Sequence, residues 1–225
     1  MTMPYYVAPE QMMKDRADFA RKGIAQGRSL VALTYDDGIL ICAENHSRTL
    51  HKISEIYDRI AFAGVGRYSE FEALRILGVR QADIKGFTYS REDVDARSLA
   101  NAYAQTLHQI FTHEVKPMEV EILVAEVGIE AAGDQLFRIR YDGFVIDEHL
   151  LAVLGGDPET VADRLRPNVT DDMELRPALR AAVDALAGPE RTLAAADLEV
   201  AVLSRTDARR AFRRVIDREL SDHLA

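Results

Sequence analysis

Cysteine is nearly missing from this sequence. Cys42 is the single one in 225 residues, so no disulfide can form within the chain and a reducing compartment suits it. It stands in the apolar run Leu40-Ile41-Cys42-Ala43, where a buried, inert thiol is expected rather than a nucleophile. A surplus of positive charge is also lacking. Lys and Arg total 28 against 37 Asp and Glu, a net charge of −9, which argues against broad binding to nucleic acid or to an anionic membrane. No window approaches the roughly 18 apolar residues of a membrane span. The opening MTMPYYVAPEQ has neither the basic nor the apolar region of a signal peptide, and a cytoplasmic location is expected.

Metal and phosphate motifs are lacking as well. His46 and His51 are five residues apart, as are His108 and His113, a spacing that does not put two imidazoles on one helical face. Gly64-Val65-Gly66 resembles part of a phosphate loop without its Lys-Ser/Thr. No metal and no cofactor is expected.

What is present is an ordinary globular composition, 48% hydrophobic and 29% charged, long enough for one large domain. The chain centres on GRSLVALTYDDGILICAEN, residues 27–45. Residues 29–33 and 39–43 are continuous aliphatic and β-branched runs joined by Asp36-Asp37-Gly38, a hairpin whose strands are covered on both faces. Ahead of it the spacing predicts a helix over 10–24, with Met13, Ala17, Ala20 and Ile24 on a face poor in bulk and Pro9 at its start.

Beyond the hairpin, residues 52–56 and 59–65 read as short strands. Ser69 and Glu72 have the spacing of a capping box for a helix that bends or breaks at Gly78. A second helix is expected from Ser90 to Glu114, with Leu99, Tyr103, Leu107, Ile110 and Phe111 as its buried stripe. Strands follow at 120–127, at 136–146 with a turn at Tyr141-Asp142-Gly143, and at 150–154. Asp157-Pro158 starts a helix, and another over 174–187 stops at Gly188-Pro189. A late strand spans 198–203, and 211–220 is a strand or short helix. This order places helices on both faces of paired sheets in one domain. The run Arg209-Arg210-Ala211-Phe212-Arg213-Arg214 is a basic patch on an acidic chain, either a solvated face or a surface for an acidic partner.

Several long stretches, among them PEQMMKDRADFARKGIA, HKISEIYDRIAFAGVGRYSEFEALR, RSLANAYAQTLHQIFTHEVKPMEVEILVAEVG, LFRIRYDG and LEVAVLSR, are similar to the proteasome family, in particular to its actinobacterial 20S α subunits. The resemblance implies an α+β fold, the four-layer αββα sandwich of N-terminal-nucleophile hydrolases. Catalytic β members of the family open their first strand with Thr-Thr-x-Val-Ala and free that threonine by cleavage. Here Ser29-Leu30-Val31-Ala32 follows the pattern, but Arg28 stands at the nucleophile position and Glu44 at that of an active-site aspartate. A guanidinium is always protonated and cannot attack a carbonyl. No catalytic residue is therefore expected in this chain.

The implied role is that of a non-catalytic α subunit. Copies form a homoheptameric ring stacked on catalytic β subunits, admit unfolded tagged proteins, and dock a ring-shaped proteasomal ATPase. Met1, Thr2, Met3, Pro4, Tyr5, Tyr6, Val7, Ala8 and Pro9 correspond to the gate, a segment 1–8 leading into a domain 9–225. Lys52 matches the family's lysine that receives the C-terminal carboxylate of the regulator. Asp18 occupies the place of a gate-supporting tyrosine, and the Tyr-Asp-Arg motif of archaeal and eukaryotic relatives is absent. The alternative is an autonomous N-terminal-nucleophile hydrolase activated by cleavage before Ser29.

Overall fold

The computed structural model describes residues 8–205 and 208–224. Pro9–Ala25 (α1) leads into the hairpin of Leu30–Tyr35 (β1) and Gly38–Glu44 (β2). Ile53–Tyr57 (β3) and Ile60–Gly66 (β4) come next, followed by Tyr68–Thr88 (α2) and Ala96–His113 (α3). Four strands follow: Val120–Glu126 (β5), Gln135–Ile139 (β6), Val145–Glu148 (β7) and Leu151–Leu154 (β8). Pro158–Leu165 (α4) and Leu175–Ala187 (α5) precede Leu198–Ser204 (β9), Phe212–Val215 (β10) and Asp217–Leu224 (α6).

The strands form two five-stranded antiparallel sheets, ordered β10-β9-β2-β1-β8 and β3-β4-β5-β6-β7. Alternate residues of the hairpin part to opposite faces, as a pleated strand requires. Leu30, Ala32, Ile39, Ile41 and Ala43 enter the core between the sheets, against Ala61, Ala63, Val65, Leu123 and Ala125. Val31, Leu33, Leu40 and Cys42 face the other way, under Val161 and Leu165 of α4 and Leu179, Ala182 and Leu186 of α5. Phe62, Ile122 and Val124 of the second sheet pack under α2 and α3. The result is the four-layer αββα sandwich, and it explains why the hairpin strands are apolar throughout: each side chain has a layer over it. Replacing any one of these leucines by alanine is worth about 2–5 kcal/mol.

The hairpin turn is Asp36-Asp37, with Tyr35 opposite Gly38. Gly38 has φ of 145°, and a Cβ there would run into the Leu203 carbonyl of β9, so both geometry and space call for glycine. Helix α1 covers the open end of the sandwich, inserting Ala20 and Ile24 into the inter-sheet core while Met12 and Phe19 stay exposed. Arg16 crosses to the end of α3 and donates to the carbonyls of Ile110 and Glu114, satisfying acceptors that a helix C-terminus leaves free.

Three local expectations differ from the structure. The capping box at Ser69 does not form: Arg67 is the residue before α2, Ser69 lies inside its first turn, and Glu72 pairs with Arg75 at 2.6 Å. Glu70 instead accepts the backbone N–H of Glu119 at 2.6 Å, so a tertiary partner displaces the local one. Helix α2 also runs unbroken through Gly78. A Cβ there would overlap the Tyr103 hydroxyl, so this glycine lets α3 approach rather than ending α2. Finally, α3 starts at Ala96, where Asp95 accepts Ser98 N–H at 2.8 Å, while Ser90 caps a separate turn at Arg91–Asp93. The Asp157 cap and the Gly188 stop stand as expected, the latter with φ of 68°. Residues 211–220 hold both alternatives, a strand and the start of a helix.

Candidate functional site

Pairing of β1 with β2 brings the residue before the first strand beside the last residue of the second. Glu44 N–H donates to the Ser29 carbonyl at 3.2 Å, and the Arg28 guanidinium forms an ion pair with the Glu44 carboxylate. The Glu44 side chain is only 5% exposed. Arg191, in the connection after α5, reaches the same carboxylate at 3.1 and 3.3 Å. It also caps α5 by donating to the Leu186 and Ala187 carbonyls. Burial opposes ionisation of Glu44, but Arg191 and Arg28 outweigh it and hold the carboxyl below its ordinary range.

Lys52 lies just ahead of β3, where its carbonyl accepts Gly64 N–H at 3.0 Å. Its ammonium donates to the Arg28 carbonyl at 2.8 Å and the Glu44 carbonyl at 3.0 Å. Burial lowers its pKa to about 8, only partly offset by the charges of Glu199 and Glu44, with Arg28 adding to the depression. Lys52, Arg28 and Glu44 therefore meet at one point, the head of the leading strand.

Neither position 28 nor the hydroxyl and thiol nearest it on the hairpin offers a free nucleophile. Position 28 carries a guanidinium engaged with a carboxylate, and its amide nitrogen continues into Gly27. The Ser29 hydroxyl donates to the Gly155 carbonyl at 3.2 Å. Cys42 is fully buried among α4–α5 contacts, which pushes its thiol up to about 12.

Of the residues expected to form a gate, Ala8 is exposed and accepts Met12 N–H at 3.1 Å, and Pro9 is the first helical residue of α1; Met1, Thr2, Met3, Pro4, Tyr5, Tyr6 and Val7 lie outside the described residues. Sequence reasoning passed over Arg191 and Glu199, and weighed His46 and His51 of the β2–β3 connection only as metal ligands. His46 lies 3.1 Å from Asp197 and 3.6 Å from Glu44, and His51 lies 3.2 Å from Glu199. A basic residue just past a helix end was the only local signal for Arg191. The basic run of the C-terminal region is tied to acids of this same chain. Arg210 pairs with Glu55 at 2.7 Å, Arg213 with Glu219 at 2.6 Å, Arg214 with Glu199 at 2.7 Å, and Arg209 lies 3.7 Å from Asp58.

The proteasome subunit family profile matches residues 24–203. The proteasome subunit alpha of Sanguibacter keddieii is 58% identical over 234 residues, covering 100% of this chain and 90% of that protein. That of Acidimicrobium ferrooxidans is 57% identical over 224 residues, covering 100% and 97%. The Thermomonospora curvata protein of the same name is 57% identical over 227 residues, covering 100% and 99%. With a guanidinium where a β subunit would carry its nucleophile, and α subunits as its relatives, this chain belongs to the proteasome subunit family as a non-catalytic α subunit of the 20S core.

Proposed function

We propose that this chain gates the core and docks its regulator. Seven copies form a homoheptameric ring stacked on catalytic β subunits of the threonine type, in the cytoplasm. Residues 1–8 close the axial channel, and residues 9–225 act as one folding unit behind them. Lys52 receives the C-terminal carboxylate of a ring-shaped ATPase, and the substrates are unfolded tagged proteins. The observation that carries this reading is the Lys52 ammonium, half-buried and held by two carbonyls rather than by a carboxylate. One charged hydrogen bond contributes about 1.5–3 kcal/mol, and several tails on one ring supply the rest through effective concentration.

The same contact supplies a link to the gate. The Arg28 carbonyl lies three residues past the end of α1, so an incoming carboxylate that draws Lys52 away loosens the segment on which α1 is anchored. Deletion of residues 1–8 tests the gate. Peptide hydrolysis by the particle assembled with its β subunit is expected to rise about 5-fold or more, because the remaining chemistry is untouched. Unchanged turnover would remove the tails as a barrier. Native mass of the purified chain, alone and with its β subunit, tests the ring.

A further inference from the structure

Glu199 is the second residue of β9, opposite Ala43 of β2, and is only 9% exposed. Four donors converge on its carboxylate, with a histidine close by. Oε2 accepts from Asn45 Nδ2 and from the backbone N–H of Lys52, each at 2.8 Å. Oε1 accepts from the backbone N–H of Ile53 at 3.2 Å and from Arg214 Nη1 at 2.7 Å, and His51 Nδ1 lies 3.2 Å away. Arg214 completes the clamp by donating to the Ile53 carbonyl at 2.6 Å. A carboxylate on the first sheet thus fastens the opening of β3, which belongs to the second. Burying a carboxylate is costly unless its lone pairs are satisfied, and here two of the four hydrogen bonds are made to the backbone of Lys52 and Ile53.

This inference rests on the docking reading of Lys52. We propose that Glu199 is the positioning residue of that site: it fixes the backbone of Lys52 so that the ammonium reaches the Arg28 and Glu44 carbonyls, and it supplies the negative charge behind that ammonium. Lys52 is faced by Arg28 from ahead of β1, by Glu44 from β2, and by Glu199 from β9. Arg191 and His46 also lie within 4 Å of Glu44, as His51 and Arg214 do of Glu199. The negative charge of Glu199 counters the effect of burial at Lys52, with Glu44 adding to it. A role in folding alone would not move the charge state of a lysine.

The test is competitive acylation of the full chain with an N-hydroxysuccinimide acetate reagent across pH, read at Lys52 by mass spectrometry with exposed Lys14 as internal standard. In the wild type Lys52 is expected to gain reactivity with a midpoint of about 8, well below the 10.5 of a free lysine side chain. Glu199→Gln should lower that midpoint by about 1 pH unit, because the remaining charge pattern favours the free amine. Glu199→Asp should keep it near the wild-type value. Regulator-stimulated degradation by the assembled particle should fall about 3-fold or more in Glu199→Gln at pH 8, as the charged fraction drops. A Lys52 midpoint unmoved by Glu199→Gln overturns the positioning role. Normal stimulation in Lys52→Ala overturns instead the docking reading, and the labelling result separates the two failures. Where Glu199→Gln does not fold, Glu199→Asp decides: a Lys52 midpoint displaced by about 1 pH unit from the wild-type value overturns the role.

Discussion

Two lysines at the same end of the sandwich are treated in opposite ways. Lys116, under α1, lies 2.6 Å from Glu70 and 2.9 Å from Glu119, and Arg67 reaches Glu119 at 2.8 Å. Burial lowers the Lys116 pKa, but the two carboxylates outweigh it and the net shift is upward. Lys52 is given carbonyl dipoles instead, and its pKa falls to about 8. The Lys116 cluster is a closed network: Gly23 of α1 rests directly on Glu119, with no space for a Cβ, and Phe19 lies over the Lys116 ammonium. The Lys52 cluster is complete in its backbone and incomplete in its charge. A cation held in place without a carboxylate of its own is what an incoming carboxylate needs, whereas a cation already matched serves the fold.

That contrast can be broken most directly by function. Lys52→Ala should reduce regulator-stimulated protein degradation by about 10-fold, the equivalent of one lost charged hydrogen bond at each tail. Lys116→Ala should leave stimulation within about 2-fold of the wild type. Equal losses in both variants would erase the distinction. Degradation of a tagged protein by the assembled particle, with and without the ATPase ring, is the measurement.

Stability sharpens the comparison next. Glu44→Ala leaves Arg28 and Arg191 facing one another without their buried carboxylate, and a loss of about 2 kcal/mol is expected in urea unfolding. The figure sits at the low end for a broken buried pair because both arginines are about half exposed. Glu70→Gln keeps an acceptor for Glu119 N–H and loses the charge pairs with Lys116 and, at 3.7 Å, Arg67, both partly exposed, so about 1 kcal/mol is expected.

The smallest effect is one of sign. Lys52 has a folded pKa of about 8 against 10.5 for the free side chain, so between those values the unfolded chain binds more protons and stability rises with pH. Below about 8 the cost of the buried charge is fully present, at most about 3 kcal/mol. Lys116 has its pKa raised, so its contribution is fully present below the unfolded value and is lost as pH climbs through the folded one. Thermal unfolding should therefore show a shallower rise between about pH 8 and pH 10.5 in Lys52→Met, and a shallower fall above pH 10.5 in Lys116→Met, each relative to the wild type. Matching slopes would show that the two sites do not differ in charge compensation.

Much of the architecture was legible in the chain because burial writes itself into residue type. The continuous apolar runs around Val31 and Ile41 report a layer on each face, and Asp157-Pro158 and Gly188-Pro189 carry helix ends in four residues. Family resemblance brought Arg28, Glu44 and Lys52 forward. Local patterns failed where a distant group offered something better. Glu70 turned to the distant Glu119 N–H, and Gly78 gave room to Tyr103 instead of ending α2; Glu72 paired with Arg75 one turn along α2. Arg191 and Glu199 carry no motif. Each is recognisable only when β2, β3, β9 and the end of α5 stand side by side.

Hydrophobic patterning and turn residues, which act over a few positions, were enough by themselves to specify two covered sheets, while the reading of Arg28 as standing in place of a nucleophile came from the family resemblance. Which lysine has carboxylates and which has only carbonyls was decided by the tertiary structure alone. Charge compensation depends on distances of a few ångströms between groups up to 147 residues apart, and no local pattern encodes those.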